Sequence, residues 1–583
     1  MITMKKITLI TKALACCVLL MAVGLNSCIE ETFPESSTAT KDQVMKSKSA
    51  MEALQNSIVG YLNEYNSYDR DLNYYNAYNF DFGYPAWGIM RDVMCEDFYI
   101  YSSDYDYFPE YGLCTSLGVN NTMSYVLYGY YFKLLKRAND LVGLIDANTT
   151  DPLLKQYAGV AHTCRALAYL DMARLYEYKK TGIAKLDNEA AANKVYGLTT
   201  QLVTEKTSET DARNNPRVPF QTMYKYILDE LETAGNLLNG FTRSAKNLPN
   251  SAVVAGLKAR TWLELGTRFE KYPADLAAFT AVRSDITSAK DCYAKAAQFA
   301  REAITASGAQ PLTESDWFGG KSYTTGFNSI LASSWMWGII TKEANVYSSY
   351  INFASNMCPE QTFGVANATY GATRTISKAL FDQIPDADWR KASWIAPGDA
   401  GKAPGSKYRT LLTDDDFKTL APYAGLKFKP NEGNMIDYKV GAAMDYPLMR
   451  VEEMYFIEAE ALAASQGVAA GVSALESFMK TYRYDSYKCS ATTLADFRKE
   501  LMLQKRIEFW GEGIIFWDYK RLELKVTRGY KDTNCPVGYR MNSIEGYCAP
   551  WFNIYFNKYE TDQNKAIILN PDPSGVISDW TGQ

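Results

Sequence analysis

The chain has 583 residues, a formal net charge of −5, and a composition that is 47% hydrophobic and 14% aromatic. The acidic balance argues against a nucleic-acid surface, which needs clustered Lys and Arg. The single histidine excludes any multi-histidine metal site, and a Ser-His-Asp or Cys-His triad would have to use it.

The first forty residues have the layout of a secretory signal. Lys5, Lys6 and Lys12 precede an uncharged apolar run from Ala13 to Leu25, which is shorter than the ~20 residues a membrane-spanning helix needs. The run ends in Leu25-Asn26-Ser27-Cys28, a quartet that resembles the bacterial lipobox. That resemblance makes residues 1–27 a signal peptide, Cys28 the lipidated first residue of the mature chain, and 28–45 a flexible tether. Glu30 and Glu31 resemble the acidic signal that sends lipoproteins of Bacteroidota to the outer face of the outer membrane. Loss of the three signal lysines moves the charge from −5 to −8.

The body that follows, 46–583, is long enough for several domains, although helical arrays of this length can form one unit. Amphipathic periodicity predicts helices over Ser124–Asp146, Tyr157–Lys180, Val218–Leu238, Asn250–Glu270, Asp291–Gly308, Pro447–Gly467 and Leu494–Gly513. In the fifth, Ala294, Ala297 and Ala300 offer a face that a neighbour can approach closely. His162 lies on the second, in "GVAHTCRALAYLDMARLYEY", where a packed structural histidine is the better reading. Pairs of helices with small-residue faces resemble tetratricopeptide repeats. Between Gly308 and Asp445 the helical period fades into Gly-, Pro-, Thr- and aromatic-rich sequence, which predicts loops and short strands. The expected fold is mostly α, with tetratricopeptide-like helix pairs and an inserted loop-rich, short-strand region at about 309–445 that carries the ligand site.

The eight cysteines after Cys28 include no Cys-x-x-Cys pair, so a zinc site is not supported. Cys535 and Cys548 are close enough for a local disulfide, and two buried free thiols are an equal reading. The acids of "TDDDF" and "SDYDY" lack the ligand spacing of a calcium loop, and nothing points to a cofactor.

The C-terminal motifs carry a family resemblance. "YPLMRVEEMYFIEAEALA" is similar to the arginine-led helix of the SusD/RagB family. "LQKRIEFWGEGIIFWDYKRL" resembles its Arg-x-x-Glu-x-x-x-Glu-Gly motif at Arg506, Glu508 (one residue early), Glu512, Gly513, Asp518 and Arg521. Ile514 and Ile515 stand where many members have arginine, a departure that touches a structural ion pair. "DFGYPAWGIMRDVMCED" and "YYFKLLKRANDLVGLID" also read like family segments, as does the "PDADWRKASW" turn with Asp388 and Arg390. The resemblance implies a non-enzymatic, cell-surface glycan-binding lipoprotein with four helix pairs, which captures oligosaccharides and hands them to a SusC-like TonB-dependent outer-membrane transporter. A surface glycoside hydrolase, or a peptide-importing or purely structural lid subunit, are the alternatives. Glu508 and Glu512, four apart, are the acid pair a hydrolase would use; Lys505, Arg506 and Arg521 are the expected structural partners instead.

Sugar recognition needs flat rings with a polar handle beside groups that fix the hydroxyls. Two stretches offer this chemistry. "YIYSSDYDYFPEYG" (Tyr99–Gly112) supplies Tyr101, Tyr105, Tyr107 and Tyr111, and the Gly-rich "ESDWFGGKSYTTGFNS" supplies Asp316, Trp317, Tyr323 and Asn328. Trp317 is the expected exposed stacking ring. Trp335 and Trp337 alternate as core strand residues would, and Trp389 and Trp394 read as structural. The tyrosine-rich stretch Asn63–Pro85 is left as either a ligand or a partner surface.

Overall fold

The computed structural model describes residues 41–64, 68–69, 74–75, 78–100, 106–319, 325–369 and 372–582. Cys28 and the signal therefore lie outside the described residues. Contacts divide the chain into a unit ending at Ala50, which holds the short helix Lys41–Lys46, and a second unit from Met51 to Gln583.

The second unit is built on helices α1 (Thr122–Leu144), α2 (Pro152–Tyr176), α3 (Phe220–Leu237), α4 (Ser251–Lys271), α5 (Ala289–Ser307), α6 (Val451–Gln466), α7 (Val468–Tyr482) and α8 (Leu494–Glu508). Side chains fix the starts of most of them. Asn121, Asp151, Asn250, Ser288 and Thr493 each accept a hydrogen bond from a first-turn backbone N–H that the helix itself leaves unpaired. α5 stops at Gly308, whose φ of +64° is the left-handed conformation glycine adopts without strain. Successive helices pack as neighbours: α1 on α2, α2 on α3, α3 on α4, α4 on α5, α5 on α6, and α6 on α7 and α8.

This is the expected array of helix pairs, with α7 added to the seven predicted helices, the last of which ends at Glu508 and not Gly513. The sixth predicted helix begins at Val451, not Pro447, because Tyr446–Arg450 is a strand. On α5, Ala297 and Ala300 are buried together with Ala296, whereas Ala294 faces solvent. Gly266 of α4 admits the Tyr293 ring so closely that an added Cβ would lie 2.8 Å from it. His162 is structural: its Nδ1 lies 2.8 Å from Glu230 Oε2, tying α2 to α3 beside the Arg165–Glu230 ion pair.

The partners α5 and α6 are adjacent in space but separated in sequence by the irregular region. As expected, that region holds short strands: β1 (Tyr68–Asp69), β2 (Tyr74–Tyr75) and β3 (Phe98–Ile100) precede the helix array, while β4 (Trp335–Ile339) and β5 (Arg374–Ile376) lie in the insertion and β6 (Tyr446–Arg450) closes it. All three pairings, β1–β2, β3–β5 and β4–β6, are antiparallel. The β4–β6 ladder places Trp335 opposite Arg450, and Trp335 and Trp337 are both core residues. Cys535 and Cys548 are free, buried thiols. Among the described residues no helix is long and apolar enough to cross a membrane, and no cluster of His, Cys, Asp and Glu has the makings of a metal site.

The family-like C-terminal motif forms a buried ion cluster where insertion and array meet. α8 ends at Glu508, so Glu512 lies beyond the helix and the two acids do not share a helix face. Glu508 accepts hydrogen bonds from Arg390 of the insertion (2.9 Å), Arg450 of β6 (3.1 Å) and Arg483 at the end of α7 (2.7 Å). Glu512 takes Arg450 (2.8 Å) and Lys427 (2.6 Å). The partners expected from the sequence are engaged elsewhere: Arg506 binds Asp97, Lys505 binds Asp518, and Arg521 binds Glu460 and Asp518. With Asp388 on Arg390 and Glu452 on Arg450, four cations face four acids. Burial pushes the Glu508 carboxyl up, but Arg483 and Arg450 more than offset this and hold it well below the usual range.

Gly513 of the motif closes the other side. Its φ is +69°, and an added Cβ would lie 2.3 Å from Gly88 Cα, so only glycine fits against helix Tyr84–Met94. Arg91 Nε donates to its carbonyl (2.7 Å) and its N–H donates to Asp92 (2.9 Å).

Candidate functional site

The two tyrosine-rich stretches converge. Tyr78 stacks on Phe80 with ring centroids 5.2 Å apart and planes 7° from parallel. Tyr107 meets both rings edge-on, at 5.9 and 6.0 Å. Phe80 is buried and continues into the core through Phe108 and Trp87, while Tyr78 and Tyr107 are half-buried.

A buried polar network holds this face from beneath. Asn79 accepts a hydrogen bond from the Tyr107 backbone N–H (3.1 Å) and donates to Asp106 Oδ1 (3.4 Å). Asp106 also accepts from the Phe108 N–H (3.2 Å) and, through Oδ2, from Arg374 Nη1 (2.6 Å). Arg374 sits on β5 opposite Ile100 of β3 and also donates to the Asn356 backbone (2.6 Å) and side chain (3.1 Å) and to the Ala372 carbonyl (3.3 Å). The two buried charges of this network, Asp106 and Arg374, are thus matched to each other, as burial in a low-dielectric interior requires. The result is a pair of tyrosines on a pre-organised base that joins the N-terminal strand to the insertion.

The remaining sequence candidates fare differently. Trp317 is not an exposed loop ring: it is 0% exposed, at the end of the short helix Glu314–Phe318. Its Nε1 donates to Ser393 Oγ (2.9 Å), and its ring packs edge-on against Phe327 (4.7 Å) and Trp389 (5.4 Å). It roofs the ion cluster, with Lys427 Nζ 5.0 Å from the ring centre. A ring enclosed in this way has no face to offer a sugar, so Trp317 is a core residue. Asn328 is buried too, its side chain accepting from the Thr325 N–H (2.8 Å). Asp316 is exposed, but its carboxylate completes a helix-capping box with Thr313. Tyr111 is buried, its hydroxyl 3.0 Å from Ser124 Oγ. Tyr101, Tyr105 and Tyr323 lie outside the described residues. Trp394 is buried and Trp389 half-buried, both as structural residues.

Sequence reasoning missed Asn79, Asp106 and Arg374. Their polar types carry no local signal, because the partners lie 27 positions apart for Asn79 and Asp106 and 268 for Asp106 and Arg374.

A wide cleft of about 1050 Å³ runs beside α8. Its walls carry ion pairs, Arg498 with Glu270 (2.7 Å) and Arg506 with Glu96 (2.9 Å), and its one lining aromatic ring, Tyr519, is buried. It lacks the exposed ring that sugar stacking needs.

Comparison with known proteins agrees with the motifs and the architecture. The model of the SusD family matches residues 421–579, which span β6, α6 to α8 and the ion-cluster motif. Among solved structures, a SusD-like carbohydrate-binding protein of Bacteroides vulgatus superposes with a TM-score of 0.65 at 19% identity, covering 92% of this chain and 99% of its own. A SusD-superfamily protein of Bacteroides thetaiotaomicron gives 0.63 at 15% identity, over 91% and 100%. Surface glycan-binding protein A of Bacteroides thetaiotaomicron, solved with laminarihexaose, gives 0.57 at 15% identity, over 90% and 99%. No curated protein sequence matches significantly. The SusD family's segment thus matches the C-terminal part of the chain, and its fold along nine-tenths of its length is the one seen in these SusD-like structures.

Proposed function

We propose that this protein is a non-enzymatic surface lipoprotein that captures an oligosaccharide on the Tyr78–Tyr107 face. Anchored through Cys28 in the outer membrane and facing outward, it passes the ligand to a SusC-like TonB-dependent transporter. The observation that supports the reading is the half-buried pair of tyrosines on a buried, hydrogen-bonded base. Apolar sugar faces stack on such rings, and a pre-organised site loses little freedom on binding. The laminarihexaose complex of a protein with this architecture supports the same ligand class. The hydrolase reading loses its acid pair, because Glu508 and Glu512 are buried and bound to arginine and lysine.

Calorimetric titration with neutral oligosaccharides, with product analysis of the same mixtures, tests this. Tyr107→Ala is expected to weaken binding by roughly 30-fold, the equivalent of about 2 kcal/mol for losing an aromatic anchor. Unchanged affinity in that variant would place the site elsewhere, and shortened oligosaccharides would point to an enzyme.

A further inference from the structure

A second cleft, of about 550 Å³, shares no residue with the Tyr78–Tyr107 face. It forms where the chain leaves α2 and the ends of α3 and α4 meet. Tyr178 and Tyr196 face one another across a parallel β-bridge with rings 5.7 Å apart, and Phe220 and Tyr272 supply further ring surface. Tyr196 is 37% exposed, at the rim.

The charges in this cleft are unevenly committed. Arg268 is fully engaged: its guanidinium lies 3.6 Å over the Phe220 ring and donates to Glu177 (2.6 Å) and Asp275 (2.8 Å). Lys179 differs. It is 8% exposed, yet its ammonium makes no hydrogen bond to any described residue. It stands 4.0 Å from Glu177, whose carboxylate Arg268 already occupies, and 5.2 Å over the Tyr272 ring. Exposed Lys180 stands 5.6 Å over Tyr196. Two neutral or acidic groups are also uncommitted: the Gln221 side-chain amide, and the Asp275 oxygen not used by Arg268. Three cations therefore face two acids, and one buried ammonium has no hydrogen-bond acceptor among the described residues, with Glu177 4.0 Å away.

We propose that this cleft binds a sugar acid, a hexuronate-type unit whose carboxylate pairs with Lys179. A buried ammonium lacking an acceptor is costly, and a carboxylate offsets that cost where a neutral hydroxyl does so only weakly. Tyr196 and Tyr272 offer faces for the pyranose ring, while Gln221 and Asp275 receive its hydroxyl groups. The volume lies in the range of ordinary small-molecule sites. The protein then holds two chemically distinct sugar sites, one neutral and aromatic, one selecting charge.

The test is NMR-detected titration of the full mature chain with sodium D-glucuronate, D-glucose and sodium acetate. Glucuronate is expected to bind at least tenfold more tightly than either glucose or acetate. Lys179→Met, which keeps the aliphatic stem, should lose that tenfold preference. Tyr196→Ala and Lys180→Ala, at exposed positions that do not threaten folding, should each weaken glucuronate several-fold. Glucuronate binding that is absent, that acetate equals, or that survives all three substitutions overturns the proposal. A parallel titration with a neutral hexasaccharide reads the other face, so that failure of one site is separable from failure of the other.

Discussion

Replacing Glu508 with Gln removes one negative charge from a cluster in which four cations meet four acids. Shape is kept, but Arg483, Arg450 and Arg390 lose their shared carboxylate in a region with no solvent access. Arg390 retains Asp388 and Arg450 retains Glu512, so the deficit falls mainly on Arg483, which is left with only the more distant Glu452 as an acid partner, at 3.6 Å. Breaking a buried pair by removing one partner costs about 3–5 kcal/mol. At ~2.1 cal/mol/K of unfolding entropy per residue, over a body of roughly 530 residues, the melting temperature should fall by about 3–5 °C. Differential scanning calorimetry reads this directly. Glu209→Ala, which removes an exposed i,i+4 partner of Arg213, is the control and should move it by less than 1 °C, as exposed pairs contribute about 0–1 kcal/mol. The effect also has a pH signature. Because the folded-state carboxyl titrates below its ordinary value, its stabilisation is present above that value and is lost as the pH falls through the depressed one. Wild type and Glu508→Gln should therefore converge in acid. Equal melting temperatures at neutral pH, or a gap that widens in acid, would refute the argument.

Two further outcomes follow from the structure. Trp317→Ala should destabilise by about 3–5 kcal/mol, since it deletes a buried ring from above the ion cluster; a thermal melt close to that of wild type would return Trp317 to the surface. Cys28→Ala should abolish fatty-acid labelling and release the chain from outer membranes, whereas wild type should co-purify in mild detergent with a large TonB-dependent barrel; a labelled variant, or a wild-type chain recovered repeatedly without a barrel, would count against the anchor and the partner respectively.

Seven of the eight helices were legible because they repeat apolar residues at the helical period, and five start on an Asn, Asp, Ser or Thr that caps them; α7 escaped notice. The irregular insertion was legible by the loss of that period. Trp317 was misread because five helical residues are too few to show periodicity, and the surrounding glycines suggested a loop. The Thr313–Asp316 capping spacing just before it was the available signal. The ion partners of Glu508 were misassigned for a different reason. Lys505 and Arg506 are its neighbours in sequence, but the arginines that reach it come from positions 390, 450 and 483. The candidate site divides the same way: aromatic density marked both tyrosine stretches, while the Asp106–Arg374 bond spans 268 positions and leaves no trace in either segment.

The placement of the insertion between α5 and α6 has a consequence for how the chain assembles. These helices pack against each other, yet about 140 residues separate them. Bringing together the ends of so long a segment costs about 2 kcal/mol more in chain entropy than closing a connection of a dozen residues. If the insertion collapses first, the β4–β6 pairing shortens that span, and α6 can then dock beside α5. Assembly order is thereby set by topology: α1 to α4 close over connections far shorter than the insertion, and the α5–α6 seam closes late. The same seam is where the finished molecule should open first under stress, because a substitution that loosens the insertion relaxes the tether holding the two halves of the array together.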